Sequence, residues 1–217
     1  QIGTEGDKPD AVNSVVTAAQ LASLSGITDV VAANEDAYQD YIDANPDSFA
    51  SPATLAEVQA MITAVNTAQA NILTQIGTEG DKPDAVNSVV TAAQLASLSG
   101  ITDVVAANED AYQDYIDANP DSFASPATLA EVQAMITAVN TAQANILTQI
   151  GTEGDNPDTV NSVVTAAQLA SLSGITDVVA ANEDAYQDYI DANPDSFASP
   201  ATLAEVQAMI TAVNTAQ

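Results

Sequence analysis

Residues 54–77 read TLAEVQAMITAVNTAQANILTQIG. Leu55, Val58, Ile62, Val65, Ile72 and Ile76 recur at spacings of three, four or seven, with Met61 and Leu73 beside them. That spacing is the apolar stripe of an α-helix. Just ahead, Ser51-Pro52 reads as an N-cap followed by proline at the first helical position. Thr54 with Glu57 offers a capping box one turn later. Gly77 reads as the C′ residue that ends the helix. A helix of roughly 24 residues is about 36 Å long.

Two shorter helices precede it. In Val16-Thr17-Ala18-Ala19-Gln20-Leu21, Thr17 is an N-cap and Gln20 completes its capping box. Val16 and Leu21 occupy the two positions of a hydrophobic staple. Leu21 and Leu24 are expected to face the core, and Gly26 is a stop, which predicts a helix over 18–25. Thr28 is the N-cap expected for a second helix over 28–44, with Asp29 suited to its first turn. Ile27, Val30, Val31, Tyr38, Tyr41 and Ile42 share one face of it. Asn45-Pro46 ends it, because a residue before proline avoids the α region. Phe49 is expected to cover the start of the third helix.

The whole pattern returns every 74 residues: Gln1-Ile2-Gly3-Thr4 recurs from Gln75 and again from Gln149. Only two columns vary. Lys8 and Lys82 correspond to Asn156, and Ala11 and Ala85 correspond to Thr159. The periods are 1–74, 75–148 and 149–217, the last one shorter. Thr78-Glu79-Gly80-Asp81-Lys82-Pro83-Asp84 is polar and reads as a linker. The conformation of the following Ala85-Val86-Asn87-Ser88-Val89-Val90 stays open between a helical turn and an extended strap. The reading is all-α: a tandem array of three-helix bundles, elongated end to end. A 74-residue unit closes its own core only marginally, burying about 60–65% of its unfolded surface. The alternative is a continuous α-helical solenoid in which each repeat completes its neighbour. The polar linker favours the first.

Charge excludes much. Thirty acidic side chains face two lysines, and the net charge is -28. Nucleic-acid binding needs cations to displace phosphate counterions, so no nucleic acid is expected as a partner. Anionic membranes are disfavoured for the same reason. No stretch approaches the roughly 20 apolar residues of a membrane span, and no signal peptide is visible. The chain begins and ends inside the repeat, so it reads as a piece of something longer. It has no Cys, which leaves the redox compartment open. Disorder is the other outcome of high charge, but 47% of residues are hydrophobic and they fall at helical spacing.

Chemistry has little material. There is no His for base catalysis, no Cys nucleophile and no Arg clamp. The chain is read as a non-enzyme with no catalytic and no cofactor-binding residues. The one local oddity is the acidic run on the second helix: the adjacent pair Glu35 and Asp36, then Asp40, Asp43 and Asp47 at spacings of three or four, with no cation on that helix. Asp36, Asp40, Asp43 and Asp47 are weak Ca²⁺ candidates, set against a hydrated acidic face suited to salty water. Asp43-Ala44-Asn45-Pro46-Asp47-Ser48 is not an EF-hand: Ser48 stands where the loop needs glycine, and Thr54 where it needs a bidentate Glu. Glu5, Asp7 and Asp10 are a second, looser candidate. Tyr38 and Tyr41 read as core with their hydroxyls reaching water, against a binding-surface reading.

The segments Val16-Thr17-Ala18-Ala19-Gln20-Leu21, Gly26-Ile27-Thr28 and Ala53-Thr54-Leu55-Ala56-Glu57-Val58-Gln59 resemble helical tandem repeats of very large RTX-type surface adhesins. Those are calcium-dependent proteins of Gram-negative, often marine, bacteria. The resemblance covers every repeat. It implies type I export, an extracellular place at the bacterial cell surface, and a role as extender that holds a terminal adhesive domain away from the cell. Calcium sites in that family belong mainly to β-rich domains and do not carry over to these helices. A weaker likeness links the chain to three-helix albumin-binding modules, which are shorter and lysine-rich. The leading expectation is therefore a monomeric spacer whose partners are its own neighbouring repeats. Three modules end to end would reach roughly 110–120 Å. The alternative is a multivalent protein-binding three-helix module that gains avidity from its copies.

Overall fold

The computed structural model describes residues 2–5, 16–80, 90–155 and 164–217. Among these residues every regular element is helical and no strand occurs. The all-α reading therefore holds. The first period contains α1 (Ile2–Glu5), α2 (Ala18–Ala22), a 3₁₀ turn (Ala32–Asn34) running into α3 (Glu35–Ala44), a 3₁₀ turn (Pro46–Ser48) and α4 (Leu55–Gly80). The second supplies α5 (Ala92–Ala96), α6 (Glu109–Ala118) and α7 (Leu129–Asp155). The third supplies α8 (Ala166–Ala170), α9 (Glu183–Ala192) and α10 (Leu203–Ala216). The chain forms two compact units, Gln1–Val104 with Ile116–Gln133, and Val105–Tyr115 with Ala134–Gln217.

In the first unit, Ile2, Val16, Leu21, Ile27, Tyr38, Ile42 and Phe49 close on Val58, Met61, Ile62 and Val65 of α4. Tyr41 meets Phe49 edge-on, with ring centroids 6.4 Å apart. Phe49 is thus buried in this cluster against Tyr41 of α3. The second unit repeats this cluster around Tyr186, Ile190, Met209 and Ile210. There Ile146 and Ile150, from the tail of α7, join residues of the third period in one core. Each fully buried Ile or Met contributes about 1.5–3 kcal/mol.

Capping legible in the sequence is realised locally. Thr17 accepts from the Gln20 N–H at 3.2 Å while the Gln20 side chain accepts the Thr17 N–H at 2.9 Å. Gly26 follows at φ +95°, a conformation that favours glycine.

Four expectations are corrected. The second helix begins at Glu35, not Thr28. Residues 27–31 are non-helical, with Asp29 at φ +60°. Side chains of α4 take their backbone groups: Gln59 accepts the Thr28 N–H at 2.9 Å, and Asn66 donates to the Asp29 carbonyl at 2.7 Å. In extended backbone, neighbours alternate, so Val30 packs on the core while Val31 is 43% exposed. The third helix begins at Leu55, not Pro52. Its opening is the Thr54–Glu57 box, in which the Glu57 carboxylate accepts the Thr54 N–H at 2.8 Å and the Ala50 N–H at 3.1 Å. It also runs past Gly77 to Gly80, so Thr78 and Glu79 are helix rather than linker. Finally, in the first period Leu24 is over a third exposed and Leu55 about half exposed, so neither is a core residue there. Residues 81–89 of the linker and strap fall outside the described part of the chain, and Val90 is non-helical and buried.

Candidate functional site

The tail of the long helix meets the following period through one face. Positions 69, 73 and 77 are four apart and lie one above another. Gln69 donates through Nε2 to the Ser97 carbonyl at 2.7 Å and accepts the Ser99 N–H on Oε1 at 2.9 Å. One side-chain amide thus pairs with both a carbonyl and an N–H of non-helical chain. One turn on, the Leu73 carbonyl accepts the Ala127 N–H at 3.0 Å. One turn further, Gly77 lets the backbone of residues 124–127 come close. A Cβ there would lie 2.9 Å from the Ala127 nitrogen and closer still to the Ala124 carbonyl oxygen. Gly77 therefore serves close packing inside the helix rather than ending it. Ile72 and Ile76 bury alongside.

The second unit reproduces the seat. Gln143 donates to the Ser171 carbonyl at 2.7 Å and accepts the Ser173 N–H at 3.0 Å. The Ala201 N–H donates to the Leu147 carbonyl at 3.0 Å. A Cβ on Gly151 would lie 2.9 Å from the Ala201 nitrogen. Ser99 and Ser173 bury their hydroxyl oxygens with no protein partner. The signal for this seat was present in the sequence. The stripe Val58, Ile62, Val65, Ile72, Ile76 skips one position, and Gln69 fills it. A glutamine inside an apolar stripe requires a polar partner when buried.

A second polar cluster fastens the front half of α4. The Tyr38 hydroxyl donates to Asn66 Oδ1 at 2.7 Å and accepts the Val31 N–H at 3.0 Å. Asn34 donates to the same Asn66 oxygen at 2.8 Å. Tyr38 is fully buried, so its hydroxyl is held by protein rather than reaching water. Tyr112 with Asn140 and Tyr186 with Asn214 repeat the arrangement. Tyr41 is half-buried.

The carboxylates are distributed differently. Glu35 turns inward to accept the Ala18 N–H at 2.7 Å, tying α3 to the start of α2. Asp36 and Asp40 are exposed along α3, Asp43 is half-buried near its end, and Asp47 lies in the following 3₁₀ turn. Among the described residues, no three acidic groups gather in an arrangement that holds a metal ion. The side chains of Glu5, Asp7 and Asp10 fall outside the described part. Glu57, Glu131 and Glu205 titrate below the usual Glu range. The cause is first the backbone N–H of Thr54, Thr128 or Thr202, then that of Ala50, Ala124 or Ala198. Among the described residues no helix is long and apolar enough to cross a membrane.

No family model, curated protein or solved structure matches this chain. The functional reading therefore rests on its own residues.

Proposed function

We propose that the chain is a structural spacer, a run of extender repeats in a secreted bacterial surface adhesin that projects a terminal adhesive domain from the cell. The observation that supports this is the double duty of α4. Its front half gives Val58, Met61, Ile62 and Val65 to the first period's core. Its tail carries Gln69, Leu73 and Gly77 onto the second period. A single unbroken helix couples two repeats without a flexible joint between residues 55 and 80. In our reading the array is a set of three-helix modules that share their long helices, closer to the solenoid alternative than to beads on a linker. The acidic surface keeps neighbouring copies apart in solution. The chain has no catalytic or metal-dependent role in this reading.

Scattering tests it. Chains of two, three and four repeats should show a maximum dimension that grows by a constant increment, with the three-repeat chain near 110 Å. A compact globule whose dimension hardly changes with copy number would overturn the spacer. The multivalent alternative gains little support. The repeated exposed apolar residue is one valine per period (Val31, Val105, Val179), and single exposed apolar side chains are normal.

A further inference from the structure

Equivalent positions in the three periods do not have equivalent surroundings. Leu98 and Leu172 are each 1% exposed, whereas Leu24 is 37% exposed. Ser99 and Ser173 are buried, and Ser25 is exposed. Leu129 and Leu203 are half-buried, and Leu55 is 51% exposed. Ala127 and Ala201 are buried, and Ala53 is only half-buried. The sequences are the same at all these sites. What differs is the long-helix tail, which covers the second and third sites through Gln69 and Gln143.

At the first site this uncovered surface is a groove of about 320 Å³, lined among others by Ile2, Val16, Leu21, Leu24, Leu55 and Val58. One rung of it is already filled. A Cβ on Gly3 would lie 2.9 Å from the Ala53 nitrogen, matching Gly77 on Ala127 and Gly151 on Ala201. Helix α1 thus holds the place that Ile76-Gly77 holds one period later. Among the described residues, none takes the rungs held there by Gln69, Ile72 and Leu73.

We propose that this groove is a docking site for a helix, and that its occupant is the tail of another repeat of this same sequence. The helix presents Gln, Ile and Leu at the spacing of Gln69, Ile72 and Leu73, with its C-terminal end meeting Ile2, which already holds the place of Ile76. The two filled seats define the chemistry. An amide reaches the backbone at Ser23 and Ser25, a carbonyl accepts the Ala53 N–H, and one isoleucine joins Ile2 in covering Leu24 and Leu55. The inference stands on the internal comparison alone and does not depend on the spacer reading.

Cysteine accessibility tests it, because the chain has no cysteine of its own. Ser25→Cys and Ser99→Cys are near-isosteric reporters at equivalent positions. In the 217-residue chain, a maleimide should label Ser25→Cys at least tenfold faster than Ser99→Cys. Residues 61–74 are then copied in frame ahead of Gln1, which continues the repeat. In that extended chain Ser25→Cys should slow to the Ser99→Cys rate, and the melting midpoint of the cysteine-free version should rise by about 5 °C. Aspartate at the position of Ile72 in the added segment should restore fast labelling. An extension that leaves both rate and midpoint unchanged overturns the proposal. So does slow labelling of Ser25→Cys in the original chain, which at every protein concentration means its own residues fill the groove. Slowing only at high concentration assigns the groove to some other face of a second whole copy, whose tails at Gln69 and Gln143 are already seated, and overturns it as well.

Discussion

Replacing Gly77 and Gly151 by alanine sets two effects of opposite sign against each other. In a helix with nothing packed on it, glycine to alanine stabilises by about 1 kcal/mol. At Gly77 the new Cβ would come within 2.9 Å of the Ala127 nitrogen and 3.0 Å of the Ser125 Cα, and nearer still to the Ala124 oxygen. Comfortable contact lies near 3.5 Å. All three obstacles are backbone atoms, so no rotamer change relieves them. The tail must retreat by about half an ångström, and overpacking of this kind costs about 1–3 kcal/mol. The retreat also lengthens the Leu73–Ala127 hydrogen bond, now 3.0 Å. The balance is a net loss of about 0–2 kcal/mol per site, before the weakened Leu73–Ala127 hydrogen bond adds to it.

The assay is urea unfolding followed by circular dichroism on Gly77→Ala, Gly151→Ala and the double variant. The expected result is a lower midpoint for each, with amide exchange at Ser99 and Ala127 accelerated in Gly77→Ala. The two sites lie in different compact units, so their effects should add. A raised midpoint for Gly77→Ala, as bare helix propensity demands, would refute the close approach and with it the seat.

The remaining expectations follow from other contacts. Tyr38→Phe leaves the Val31 N–H without its hydroxyl acceptor and should lower stability by about 1–2 kcal/mol in chemical unfolding. Ser99→Ala and Ser173→Ala remove buried hydroxyls that lack a protein partner and should leave stability unchanged or raise it, by up to about 1 kcal/mol each; Ser25→Ala, at the exposed equivalent, should do nothing. Glu57, Glu131 and Glu205 have folded-state pKa values below the reference value of 4.5. Their contribution is therefore complete above that value and fades as pH falls through the lower folded value. The stability gap between the parent chain and the triple Glu→Gln variant should be constant near pH 6 and close below 4.5; a gap that widens on acidification contradicts the sign. With a net charge of -28, the thermal midpoint should rise between low salt and seawater salt, and an unchanged midpoint would show the carboxylates to be locally compensated.

What was legible in the sequence is what is local. The Thr17–Gln20 and Thr54–Glu57 boxes close within three residues, and both form. The apolar stripe of α4 and the burial of Tyr38 follow from helical spacing alone. What was misread depends on distant partners. Thr28 and Asp29 look like a helix start, but Gln59 and Asn66, 31 and 37 residues away, take their backbone groups and hold the segment open. Gly77 looks like a stop, and only the approach of residues 124–127 explains it. The contrast between buried Leu98 and exposed Leu24 has no local cause at all, since their neighbours in sequence are the same. Of the candidate sites, the acidic run was visible but gathers no metal cluster among the described residues. The seat was not seen, because its two halves lie in different periods.

That separation bears on why the copies are so alike. A tail residue such as Gln69 works only with Ser97 and Ser99 of the next period, whose own tail residue Gln143 works with Ser171 and Ser173. Each period must therefore carry both a tail that fits the next seat and a seat that fits the previous tail. A change in one half of one copy breaks a single junction, and it is tolerated only when the facing half of that junction changes with it. Identical copies meet that condition at every junction at once. The two columns that do vary, at Lys8 and Ala11 and their equivalents, belong neither to the tail at 69–77 nor to the seat residues between 97 and 127. Identity at the tail and seat positions is thus what these contacts favour; they place no such demand on the rest of the period.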